Sequence, residues 1–138
     1  MQTYLPYPSV QHSVQCLETS DLLDQASVTF SILSGRGRTL PAARMWKGYS
    51  QALNLYHNEV VREYVRRTGS SDYPTFQVGE VTLPPWFGSP SIHASHRSNL
   101  LRKNPDWYGQ FGWSESPNLE FVWPDTNLSP ESLFSMFE

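Results

Sequence analysis

A chain of 138 residues, 38% hydrophobic and 14% aromatic, has the length of one domain. It also carries enough large rings for a core, since each can bury ~150–250 Å². Its net charge of -3 argues against a dedicated duplex binder, whose affinity comes from an excess of Lys and Arg over phosphate. The single Cys16 excludes an internal disulfide and a multi-thiolate zinc site. No apolar run is long enough for a membrane span, and the opening Met1-Gln2-Thr3 has neither a basic segment nor a signal core. The expectation is therefore a cytoplasmic protein with no membrane partner.

Met1 to Pro8 reads as an extended arm anchored by Tyr4, Leu5 and Tyr7, because Pro6 and Pro8 prevent helix. Ser9 caps a short helix to about Leu17. The cluster Thr19-Ser20-Asp21 breaks it and caps a second helix near 21–33, with Leu22, Val28 and Ile32 on its apolar face and Ser34-Gly35 at its end. Gly35-Arg36-Gly37-Arg38 reads as a flexible basic loop and lacks the Gly-Lys-Ser/Thr ending of a phosphate-binding P-loop. The longest helix is expected over 42–67, with Pro41 at its start and Gly69 just past its end. Met45, Tyr49, Leu53, Tyr56, Val60 and Tyr64 fall at alternating threes and fours and should form one buried stripe. Arg44 and Lys47 then occupy the first turn, where cations oppose the helix dipole unless an anion binds nearby. Residues 70–83 read as a polar connection, with a brief strand around Phe76–Val81.

A third main helix is expected over 90–104. Pro84-Pro85 forbids helix before it, Ser89 or Ser91 caps it, and Pro105 closes it. It gathers His93, His96, Arg97, Arg102 and Lys103 into about three turns, with Trp86 and Phe87 before it and Trp107 and Tyr108 after. Basic groups hold phosphate and flat rings hold bases; the ordinary alternative is a solvated basic face with aromatic core anchors. His93 and His96 stand at i and i+3, but no third ligand is placed, so no metal is expected. Leu119 to Pro124 looks extended, and Ser129 to Glu138 could add a helical turn packed through Leu133, Phe134 and Phe137. The charges are segregated: every Lys and Arg lies between Arg36 and Lys103, and acids dominate both ends. The fold class is mostly α: a single compact helical domain of about three main helices, with irregular aromatic and Pro-rich connections. The N-terminal arm should thread between the helices, with 1–125 as the domain and 126–138 as a tail.

The opening Met1-Gln2-Thr3-Tyr4-Leu5-Pro6-Tyr7-Pro8, the segment from Pro41 to Tyr49, Pro84-Pro85-Trp86-Phe87-Gly88 and the run from Ile92 to Tyr108, in that order, resemble the pyrimidine-dimer DNA glycosylase family. Phe121-Val122-Trp123-Pro124 fits its short bacterial and phage branch. The resemblance implies a helical fold and a reaction without a cofactor. In that reaction the N-terminal α-amine attacks the sugar C1′ of a damaged nucleotide, and a glutamate on the first long helix assists. Gln2 is too large to favour removal of the initiator, so the matching amine is that of Met1, with a reference pKa of about 7.7–8.0. Gln25 falls at the glutamate's place, and an amide can hydrogen-bond but cannot shuttle a proton. Asp24-Gln25-Ala26 also replaces the branch's Lys-Gln-Arg pattern.

The resemblance thus implies a family member of doubtful catalysis that binds a nucleotide or nucleic-acid-like ligand in the former active-site pocket. Arg44, Trp46, Lys47, Trp86, His93, His96, Arg97, Lys103 and Trp107 are the expected binding residues. Two alternatives stand beside it: an active glycosylase and AP lyase, or a phage-type protein that sequesters a signalling nucleotide or binds a host protein. Either would work in the cytoplasm of a bacterial cell or a phage-infected host.

Overall fold

In the computed structural model, which describes residues 2–124, Ser9 accepts a hydrogen bond from the His12 N–H and starts α1, Val10–Cys16. The second helix, α2, runs Thr19–Leu33 and begins earlier than the Ser/Thr/Asp cluster suggests. Its start is fixed from outside: Arg67 donates to the Leu17 and Gln15 carbonyls and to the Thr19 hydroxyl, and the Tyr108 hydroxyl accepts from the Glu18 N–H. A short helix α3, Pro41–Met45, is followed by the long α4, Ser50–Thr68, which ends at left-handed Gly69. Next come α5, Pro90–Lys103, and α6, Pro105–Tyr108, with a 3-10 turn at Gly109–Phe111. No strand occurs among the described residues, so the 76–81 segment is irregular. Asn58 and Gln51 hold it through the Phe76 and Gly79 backbone.

The expected longest helix is in fact two. Trp46 leaves helical geometry and Gly48 takes φ +86, which turns the chain between α3 and α4. The apolar spacing survives the break because both pieces bury the same side: Met45, Leu53, Tyr56 and Val60 are buried and Tyr49 and Tyr64 half-buried. The break also moves the cations. Arg44 lies in the last turn of α3 and Lys47 beyond its end, so neither opposes the dipole of a long helix.

The core forms where α2 packs on α4 and the arm is wedged against both and against α5. Leu5, Leu17, Leu22, Tyr56, Leu100 and Tyr108 are fully enclosed. Burying one such side chain stabilises the fold by ~1.5–3 kcal/mol. Beyond α6 the chain returns along α5 as an irregular strap. Ser95, Ser98, Asn99 and Arg102 bind its backbone at residues 116–122, and Phe121 stacks on the His96 ring at 4.5 Å. The expected terminal turn at 129–138 and the boundary at 125/126 lie outside the described residues.

Candidate functional site

On α2 the positions 21, 24, 25 and 28 share one face, as i, i+3, i+4 and i+7 must. This face meets the arm and the C-terminal end of α5. There Gln2, Tyr4, Asp24, Gln25 and Lys103 line a half-open cavity of about 180 Å³.

Gln25 forms the floor and is 2% exposed. Its carbonyl oxygen accepts the Tyr4 N–H at 2.9 Å and faces the Tyr56 hydroxyl at 2.7 Å; its amide nitrogen donates to the Gln2 carbonyl at 3.1 Å. The Tyr56 hydroxyl also reaches the Tyr4 carbonyl at 2.7 Å, so its one proton is shared between two acceptors. Burial holds that phenol far above its usual range. The amide is thus a fixture that holds two arm residues, Gln2 and Tyr4, to α2 and α4.

Lys103 forms the wall. Its ammonium lies 2.5 Å from Asp21, which is 2% exposed, 3.7 Å from Asp24, and 5.9 Å from the centre of the Tyr4 ring. Burial pulls its pKa down, but the hydrogen bond and charge of Asp21 outweigh that and leave it raised. The other Asp21 oxygen accepts from the buried Tyr108 hydroxyl, whose own pKa is pushed up by burial and by that carboxylate. Lys103 is therefore a protonated, doubly matched cation, unsuited to nucleophilic attack.

The other sequence-predicted residues lie elsewhere. His93 and His96 are buried, and their rings take the backbone of Leu5 as a neighbouring strand would. The His93 Nδ1–H donates to the Leu5 carbonyl at 2.7 Å while its Nε2 accepts from the Gly88 N–H, and His96 Nδ1 accepts from the Leu5 N–H at 2.9 Å. Both rings must be neutral to do this; burial lowers both, His96 to about 3. Arg97 clamps Glu115 with two hydrogen bonds and the Pro6 carbonyl with a third. Trp46 donates to Thr3, Trp86 to the Met45 carbonyl and Trp107 to the Cys16 carbonyl. Arg44 and Lys47 are exposed.

Of the expected set, only Gln25 and Lys103 come together in the cavity; the two histidines, Arg97 and the three tryptophans hold the arm, the loops and the helix ends, while Arg44 and Lys47 stand exposed away from it. Met1 lies outside the described residues. Gln2, Tyr4 and Asp24 were missed as lining residues; the spacing of Asp24 and Gln25 beside Asp21 is the signal that points to them. Among the described residues no three His, Cys, Asp or Glu side chains are grouped to hold a metal, and no helix is long and apolar enough to cross a membrane.

Compared with known proteins, the chain matches a family model described as pyrimidine dimer DNA glycosylase over residues 1–76, from the arm through α4. No curated protein and no solved structure matches it.

Proposed function

The chain belongs to the pyrimidine dimer DNA glycosylase family, and from that footing we propose that it is a binding protein in which most of the excision chemistry is lost. Its ligand is a nucleotide or nucleic-acid-like molecule that enters the cavity between the arm, α2 and α5. It meets this ligand in the cytoplasm of a bacterial cell or a phage-infected host.

The observation that carries this reading is Gln25. An amide stands on the cavity floor beside Gln2 with both oxygen lone pairs and one N–H already committed. An amide neither gives nor takes a proton at neutral pH, and general acid–base help is typically worth 10²–10⁴-fold in rate. Lys103 does not replace it, being held protonated by Asp21. What remains for imine chemistry is the Met1 α-amine that the family's reaction uses, without a glutamate at position 25 to assist it.

The cavity suits the uncharged part of such a ligand. At about 180 Å³ it is smaller than the ~300–1,000 Å³ of ordinary ligand pockets, so it suits a single heterocycle better than a whole nucleotide. Its one cation is matched by Asp21 and Asp24, so no positive charge is left over for a phosphate. Asp24 and the remaining Gln25 N–H offer an acceptor and a donor, as recognition of a base edge requires.

Borohydride trapping on a duplex with an abasic site tests the catalytic half. The wild type should give little covalent adduct and Gln25→Glu more. An efficient wild-type adduct that vanishes when the N-terminal amine is blocked would instead make the chain an active glycosylase and lyase. Calorimetry with nucleosides and nucleotides tests the other half: at least one should bind, several-fold more weakly to Asp24→Ala. If none binds, the ligand reading falls and a protein partner replaces it.

A further inference from the structure

The strap after α6 follows the N-terminal arm contact by contact. Trp113 donates its indole N–H to the Tyr7 hydroxyl at 2.6 Å. Arg97 bridges the next pair, with two hydrogen bonds to Glu115 and one to the Pro6 carbonyl at 2.7 Å. Phe121 lies flat on the His96 ring that accepts the Leu5 N–H, at 4.5 Å and 10°. The same phenyl ring stands edge-on to the Tyr4 ring at 6.1 Å. Arm residues 7, 6, 5 and 4 thus meet strap residues in rising order from 113 to 121. The two segments run antiparallel, with Arg97 and His96 of α5 as rungs between them.

What holds the strap differs in kind from what holds the arm. Residues 113–124 form neither helix nor strand. Their backbone is fixed by side chains of α5: Ser98 and Ser95 accept the Leu119 and Val122 N–H groups at 2.9 and 3.0 Å, and Ser98, Asn99 and Arg102 donate to the carbonyls of residues 116, 117 and 119. Leu119 and Val122 are themselves exposed and Phe121 only half-buried, whereas Tyr4 and Leu5 are buried and bonded to three helices. Local opening is cheapest where little apolar area is buried and the backbone bonds lie near solvent. At the root of the strap Gly112 takes φ +70 with nothing within 4 Å of an added Cβ, and a glycine with space around it can absorb a change of backbone angle.

We propose that residues 113–123 are a latch: they swing off α5 as one unit about Gly112 while the core stays folded, and in the closed state they lock the Tyr4 ring into the cavity wall. Tyr4 and Lys103 both line the cavity, and the strap reaches each from behind. Phe121 packs on the Tyr4 ring, and Arg102, next to Lys103, holds the Pro117 and Leu119 carbonyls. With the latch open, the Tyr4 backbone keeps its bonds to Gln25 and Tyr56, but its ring loses a neighbour and is free to turn. The closed cavity of about 180 Å³ is then one of two states, and the latch selects between them. This device goes beyond the ligand reading and holds whichever molecule the cavity takes.

Native-state hydrogen exchange and ring-flip rates by NMR test both halves without a ligand. In the wild type the Leu119 and Val122 amides should share one protection factor, roughly 100-fold smaller than those of Leu5 and Val60. Phe121→Ala should lower the strap protection roughly tenfold further and that of Leu5 several-fold, with Val60 unchanged; Phe121→Tyr should restore the wild-type values. The Tyr4 ring should flip roughly tenfold faster in Phe121→Ala while the enclosed Tyr56 ring keeps its rate. Strap amides as protected as Val60 in the wild type would make the strap part of the core and overturn the latch, whether or not the variant folds. So would a Phe121→Ala variant in which all four amides speed up alike, since the substitution then acts on global stability. A Tyr4 ring indifferent to the substitution would overturn the control of the cavity wall.

Discussion

At residue 25 the choice of amide over acid has a structural logic that needs no catalysis. A carboxylate there would place an unprotonated oxygen against the Gln2 carbonyl, where the present N–H donates. A buried group without its partner costs ~1–3 kcal/mol. The histidines make the same point in titratable form. His96, His93 and His57 are all held below the ordinary 6.5, first by burial. A depressed histidine favours the fold fully above pH 6.5; as pH falls below that, the unfolded chain takes up protons the folded chain refuses. Stability should therefore drop from pH 6.5 toward about 3, where His96 titrates in the fold, by up to ~1.4 kcal/mol per pH unit for each group. Urea unfolding at neutral pH and one to two units below 6.5 reads this directly, and equal midpoints would remove the neutral-imidazole account of the arm clamp.

At the scale of the element, apolar spacing located α2 and α4, and the flanking prolines with a serine cap located α5, because both are local properties of the chain. The spacing could not see the turn between α3 and α4, since Met45 and Leu53 stay in register across it and only backbone geometry marks the break. Gly48 is the residue that permits it, at φ +86 with nothing within 4 Å of an added Cβ. Gly48→Ala should thus cost about 1–2 kcal/mol through backbone strain alone. Gly109 is the control: it has equal space but φ -65, and Ala there should be neutral or stabilising by ~0.4–1 kcal/mol. Thermal unfolding of the two variants would separate strain from packing. A Gly48→Ala variant as stable as the wild type would mean that the turn can reopen into helix, as the sequence alone suggests.

For the whole molecule, the segregation of charge was legible in the sequence and its pairing was not. His93, His96 and Arg97 read as ligand-binding groups because nothing local in α5 says that an arm nearly ninety residues away takes their bonds. Long-range hydrogen bonds of this kind also explain why the arm is not a frayed end. The Tyr4 N–H donates to Gln25 of α2 and the Leu5 N–H to His96 of α5, while the Tyr4 carbonyl meets Tyr56 of α4. Tyr4 is 9% and Leu5 0% exposed. Residues so near a terminus ordinarily exchange their amide hydrogens by local opening at almost no cost. Here the arm leaves only if contacts with three helices break together, which is close to unfolding the domain. The Tyr4 and Leu5 amides should therefore exchange with an opening free energy within ~1 kcal/mol of the Tyr56 and Val60 amides in the middle of α4. Native-state hydrogen exchange measures all four in one experiment. Arm amides that exchange orders of magnitude faster would show that the wedge opens independently of the core, and the cavity floor at Gln25 would open with it.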